Sequence, residues 1–164
     1  MTSDNTHEKI EINAAISKLL SIVTKQLAQF LEKMLPSLFE DWWNQAVLNS
    51  LSFQQKHFVE QNNISSLKEL DLDGLLRIFD KNWYEISIKL GLTEKARHFV
   101  KKTQLMYNRW SYTTEKDFSL ESLYRNLDTL HNFSEIIGPN DDLFKELCLI
   151  EENVLANKLI FCNR

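Results

Sequence analysis

The scarcity of chain breakers constrains this sequence more than any other feature. Only 3 Gly and 2 Pro punctuate its 164 residues. A strand-rich fold needs a turn signal roughly every 8–12 residues, and Gly and Pro supply most such signals. Without them the chain is committed to long helices. The apolar spacing agrees. Ile12, Ala15, Ile16, Leu19, Leu20, Val23, Leu27, Phe30, Leu31 and Met34 recur at steps of three and four, the period of one helix face. This spacing predicts a first helix from about Glu8, about seven turns long, with a stripe wide enough for a bundle core or a dimer interface. The polar residues 1–7 are expected to be a disordered N-terminus.

The remaining elements follow from caps and stops. Pro36 is tolerated at a first helical position and is expected to open a second helix carrying Leu38, Phe39, Trp42, Trp43 and Val47. Trp42 and Trp43 lie about 100° apart on such a helix, so at least one is expected in the core. A short stretch runs from Ser52 to Gln61, and Asn62-Asn63 marks a turn. Ser65 or Ser66 is expected to cap a segment holding Leu67 and Leu70. Asp71 or Asp73 is expected to cap a helix reaching Leu90, with Leu75, Leu76, Phe79, Trp83 and Ile86 inward and Gly91 as its stop. Thr93 reopens the chain as the cap of a helix from Glu94 to about Trp110, with Ala96, Phe99, Val100, Leu105 and Met106 inward. Residues 111–118 read as a polar loop. Ser119 then caps a helix through Leu120, Leu123, Leu127, Leu130, Ile136 and Ile137, which Gly138-Pro139 ends. Asp141 or Asp142 opens a last helix with Leu143, Leu147, Ile150, Val154 and Leu159. The expected fold is a single all-α domain over residues 8–164, a mostly antiparallel bundle of five or six helices.

The formal charge of −4 argues against tight nonspecific nucleic-acid binding, which needs many phosphates neutralised. The positive charge is nevertheless concentrated. Lys95, Arg97, Lys101, Lys102 and Arg109 against Glu94 give one helix a net +4, and the rest of the chain carries −8. Such a helix is either a solvated face or a phosphate-facing patch. Tyr107, Trp110, Tyr112 and Phe118 cluster at its end. They read either as a stacking platform for single-stranded bases or as core and dimer-seam side chains.

Other chemistries lack a signal. His7, His57, His98 and His131 are scattered, with no His-x-x-x-His or Cys-x-x-Cys arrangement, so neither a metal nor a cofactor is expected. There is no phosphate-cradling glycine loop and no serine or cysteine nucleophile motif. Cys148 and Cys162 have no metal-type spacing and fit a reducing, cytoplasmic setting. Residues 1–8 lack the order of a signal peptide, and no apolar run reaches the roughly 18 residues of a membrane span.

Three segments carry a family resemblance. One is Asp71 to Ile86, with Leu75-Leu76 and Asp80-Lys81-Asn82-Trp83. The second is Tyr107-Asn108-Arg109-Trp110-Ser111-Tyr112. The third is Phe118-Ser119 with Tyr124 to Leu130, closing at Ile136-Ile137-Gly138. Together they resemble the HEPN superfamily (higher eukaryotes and prokaryotes nucleotide-binding), in its Swt-type branch. Residues 1–60 resemble it only as generic bundle helices. The resemblance implies metal-independent RNA cleavage at a composite site formed in a dimer. In the active members an Arg stabilises phosphate charge and a His transfers protons around the attacking 2′-hydroxyl. Here Asn108 and Trp110 are kept, but Tyr107 stands where Arg is expected and Tyr112 where His is expected. A phenol is a poor base near neutral pH and no permanent cation. Arg109 is a candidate for rescue, yet it lies about 200° from Tyr107 on a helix. Arg125 and His131 also read as "Arg, several residues, His", but six helical residues place them about 240° apart.

The expectation is therefore a catalytically degenerate HEPN protein, a homodimer that binds single-stranded RNA or a partner protein without cutting. Its setting would be prokaryotic RNA metabolism, toxin–antitoxin systems or antiphage defence. The expected nucleic-acid contacts are Lys95, Arg97, Lys101, Lys102, Arg109 and Trp110. One alternative is an active endoribonuclease using Asn108, Arg109 and a tyrosine, or His131 contributed across a dimer. Another is a protein-interaction scaffold without nucleic-acid affinity.

Overall fold

The computed structural model describes residues 2–112, 120–138 and 140–162, with side chains over 10–112, 121–138 and 140–153. Every described α-helical or turn element fits one all-α bundle. Seven α-helices are present among the described residues: α1 Thr2–Leu38, α2 Phe53–Gln61, α3 Leu72–Lys81, α4 Trp83–Leu90, α5 Glu94–Tyr112, α6 Leu120–Ile137 and α7 Asp141–Cys162. A π turn at Trp43–Val47 and 3-10 turns at Leu48–Ser50 and Leu67–Glu69 complete the set.

Helix α1 is the mast of the bundle. Its stripe Ile16, Leu19, Leu20, Val23, Leu27, Ala28, Leu31 and Leu35 is buried, and α3, α4, α6 and α7 pack around it. It starts at Thr2 rather than near Glu8. It also runs through Pro36, which was expected to open a new helix, and stops only after Leu38. A proline this close to the C-terminus removes a single N–H bond near the fraying end, so the helix gains a further turn. The segment beyond does not become the expected second helix. Trp42 and Trp43 are both half-buried and pack edge to face, with ring centroids 5.6 Å apart. The backbone after them winds as π and then 3-10 turns.

Caps explain most of the other boundaries. Ser52 and Gln55 form a reciprocal capping box that opens α2. Ser66 caps the 3-10 turn at Leu67–Glu69, where the Glu32 carboxylate of α1 accepts from the Ser66 hydroxyl (2.7 Å) and from Leu67 N–H (3.0 Å). Asp71, of the two candidates, caps α3 by accepting from Gly74 N–H at 2.9 Å. Gly91 closes α4 in the left-handed region at φ 67°, a conformation that costs glycine little. Asn140, rather than Asp141 or Asp142, caps α7: its Oδ1 accepts from the N–H groups of Asp142 (3.0 Å) and Leu143 (3.2 Å). The expected cap Ser119 lies outside the described residues.

The single helix expected from Asp71 to Leu90 is broken at Asn82 into α3 and α4, which raises the helix count above the five or six expected. Asn82 is buried. Its Nδ2 donates to Ala46 O (3.0 Å), the Ser50 hydroxyl (3.1 Å) and Ile78 O (2.8 Å). Arg77 Nε adds a bond to Ser50 O at 2.9 Å. The irregular Trp43–Ser50 segment is thus tied to the α3–α4 junction by side-chain donors. Beside this junction, Phe79 is fully buried and meets Phe30, Trp83 and Phe133 at centroid distances of 5.6, 5.7 and 6.1 Å. These contacts join α1, α3, α4 and α6.

Replacing Asn82 by Asp tests the junction. The variant removes the donor and turns a carboxylate toward three acceptors. It is expected to lose about 3 kcal/mol of stability in urea denaturation, whereas a loss under about 1 kcal/mol would mean that the amide network carries little.

Candidate nucleic-acid interface

Helix α5 is set by its dipole and by one apolar face. Glu94 stands in its first turn and Arg109 in its last, each favourable to the helix macrodipole. Val100, Thr103 and Met106 are buried, and Ala96, Tyr107 and Trp110 pack against the core beside them. Leu105, expected inward, is 58% exposed. Thr103 takes that role instead, because its hydroxyl is satisfied by Phe99 O at 2.8 Å and the methyl can then be buried at little cost. Phe99 is half-buried.

The five cations of α5 fall into two rows. Arg97 and Lys101 face α3, where the largely shielded Asp80 carboxylate accepts from Arg97 Nε at 3.4 Å and from Lys101 Nζ at 2.6 Å. One negative charge therefore offsets part of this row. Lys95, Lys102 and Arg109 form the second row. They are spaced by seven residues, so they stay within about 40° of one another along about 21 Å of helix. All three are exposed, and the Lys102 ammonium sits 5.7 Å from the Phe99 ring centroid.

Residues 107–112 occupy the C-terminal end of the same helix. Tyr107 is half-buried and does not face the exposed cations. Burial pushes its phenol above the usual pKa of about 10. The Ser111 hydrogen bond opposes that rise, and the charges of Asp71, Asp73 and Tyr112 add to it. Asp73 accepts from Gln55 Nε2 at 2.8 Å. Its own pKa is raised by burial first and by Asp71 second, with Arg77 opposing. The place expected to hold a cation for the phosphate is thus a half-buried phenol, with Asp71 and Asp73 adding negative charge to its surroundings. Tyr112 is 76% exposed, Asn108 and Arg109 are exposed, and Trp110 packs against the core. Phe118 lies outside the described residues.

The second Arg–His pair does not converge. Arg125 and His131 both sit in the unbroken α6, Arg125 exposed and His131 half-buried, and their separation leaves them on different faces. Among the described residues, no three His, Cys, Asp or Glu side chains come together as a metal-holding group, and no helix is long and apolar enough to cross a membrane. Sequence reasoning missed Asp80 as the partner of Arg97 and Lys101. The pairing joins segments 17 and 21 residues apart and depends on how α3 packs on α5.

The fold is thus an all-α bundle with residues 107–112 closing α5. The Swt1-like HEPN family matches residues 18–138, and the chain belongs to that family. The match begins inside α1, so the family likeness is not confined to the C-terminal half. No curated protein and no solved structure matches the chain significantly.

The environment of Tyr107 has a measurable consequence. A raised folded-state pKa contributes stability that is fully present below the unfolded value of about 10 and is lost as pH rises through the folded one. Tyr107→Phe removes this contribution. Urea denaturation at pH 8 and pH 11 is expected to show the wild type losing more stability across that interval than the variant. Equal losses would place Tyr107 in water rather than beside the carboxylates.

Proposed function

We propose that this chain is a non-cleaving HEPN protein that binds single-stranded RNA along the outer edge of α5. The observation that carries the reading is Tyr107, a half-buried phenol at the position where the active members carry Arg. An anion entering that corner meets no permanent cation on the motif position, while Asp71 and Asp73 add negative charge that Arg77 only partly offsets. Tyr112, where His is expected, is a phenol and supplies no imidazole. Lys95, Lys102 and Arg109, by contrast, form an exposed row suited to successive phosphates, and the exposed Tyr112 ring adds a surface on which a base stacks. Arg97 and Lys101 contribute more weakly because Asp80 engages both. Trp110 supports the helix from beneath.

In this reading the protein is a cytoplasmic homodimer of prokaryotic RNA metabolism, in a toxin–antitoxin or antiphage setting. It retains RNA or occupies the dimer seam of an active homologue.

A labelled single-stranded RNA tests the reading directly. The wild type is expected to bind and to leave the RNA uncut in the presence of a chelator. The triple variant Lys95→Glu/Lys102→Glu/Arg109→Glu is expected to bind far more weakly, with the remaining binding measured at low salt. If all three contact phosphates, the slope of log K against log salt becomes shallower by about 2 in single-strand terms. Metal-independent cleavage by the wild type would overturn the disarmed site. Unchanged binding by the triple variant would overturn the interface.

A further inference from the structure

A second surface lies away from α5. It is a groove of about 550 Å³ bounded by α1, α4 and the end of α6. One face of α1 supplies Gln26, Gln29, Phe30, Lys33, Met34 and Ser37, a row recurring at steps of three and four over about 16 Å, or three helical turns. Lys89 comes from α4, and Ile137-Gly138 from the end of α6. The floor is apolar: Phe30, Met34 and Ile137. The groove is built rather than improvised. Gln26 Nε2 donates to the carbonyls of Gly138 and Ser134, and its Oε1 accepts from the Ser134 hydroxyl at 3.0 Å. Phe30 is locked from behind by its edge contact with Phe79.

Charge identifies the occupant. The chain as a whole is acidic, yet the lining of this groove holds two lysines and no carboxylate. Lys89 Nζ donates to the Ser37 hydroxyl at 2.9 Å, which holds the ammonium over the groove. Among the described residues, no carboxylate lies within ion-pair distance of Lys33 or Lys89, whereas Lys18, Arg97 and Lys101 each have one. A long groove with an apolar floor and cations at its rim suits the helix-in-groove mode of recognition. A nucleic-acid strand would engage the lysines and leave the floor uncovered. We propose that this groove docks an acidic amphipathic helix of a protein partner, about three turns long. Its apolar row lies on Phe30, Met34 and Ile137, and its carboxylates meet Lys33 and Lys89.

Two synthetic peptides of about twelve residues, long enough for three turns, test the proposal on the full chain. Both carry leucines at helical spacing, flanked in one by Glu and in the other by Lys. The Glu-flanked peptide is expected to bind and to shift the amide resonances of residues 26–37, 89 and 137–138. The surface substitutions Lys33→Glu/Lys89→Glu are expected to weaken it about ten-fold and to strengthen the Lys-flanked peptide. Met34→Glu is expected to weaken both. Absence of binding at about 1 mM, indifference to the charge reversal, or shifts elsewhere would overturn the proposal. So would a dimer that Lys33→Glu/Lys89→Glu dissociates, since a second copy would then be the occupant. RNA binding by α5 is independent of all these outcomes.

Discussion

One buried amide shapes the molecule's central part. Asn82 interrupts what the apolar spacing presents as one helix, and its Nδ2 group meets acceptors from α3 and from the irregular segment before α2. An unsatisfied amide in that position would cost on the order of 1–3 kcal/mol. The acceptors therefore have to be there, and the π and 3-10 turns at Trp43–Ser50 bring them. The break lets α3 and α4 take separate directions. Helix α3 then lies along α5, and α4 carries Lys89 to the groove on α1.

The α3–α5 pairing decides which charges remain available. Asp80 meets Arg97 and Lys101 near the start of α5, whereas Asp71 and Asp73 lie near Tyr107 toward its end. The two helices are therefore antiparallel, and α3 presents a stripe of Asp71, Asp73, Arg77 and Asp80 along its partner. At one end the stripe is met by cations. At the other it meets a phenol, and both Asp73 and Tyr107 are pushed toward their neutral forms, by burial first. The chemistry at position 107 is thus set by two helices, not by one motif.

Much of this was legible in the sequence. The all-α class followed from three glycines and two prolines, and Gly91, the α6 stripe through Leu123, Leu127 and Leu130, and two caps narrowed to Ser65 or Ser66 and Asp71 or Asp73 were readable from spacing. What failed was local and has a physical reason in each case. Pro36 sits in a helix because the loss of one bond near a C-terminus is small. Asn82 ends a helix because tertiary acceptors outweigh the continuing apolar period. Asn140 caps α7 because its side chain reaches two N–H groups that Asp141 and Asp142, already inside the first turn, do not. In the candidate site, the sequence placed all five cations on one helix. It was silent on Asp80, because which face meets an acid depends on packing between distant segments.

Charge placement also separates the two surfaces in kind. On α5 the row Lys95, Lys102, Arg109 rises over about 21 Å with polar and aromatic neighbours, so the affinity proposed for it would come chiefly from phosphates and would weaken with salt. In the α1 groove the lysines stand at the rim of an apolar floor. Most of the binding energy there would come from buried side chains, and the lysines would mainly choose the partner. Under the proposed reading the two surfaces divide the work: α5 would hold the nucleic acid, and the separate groove would bring a protein partner to it.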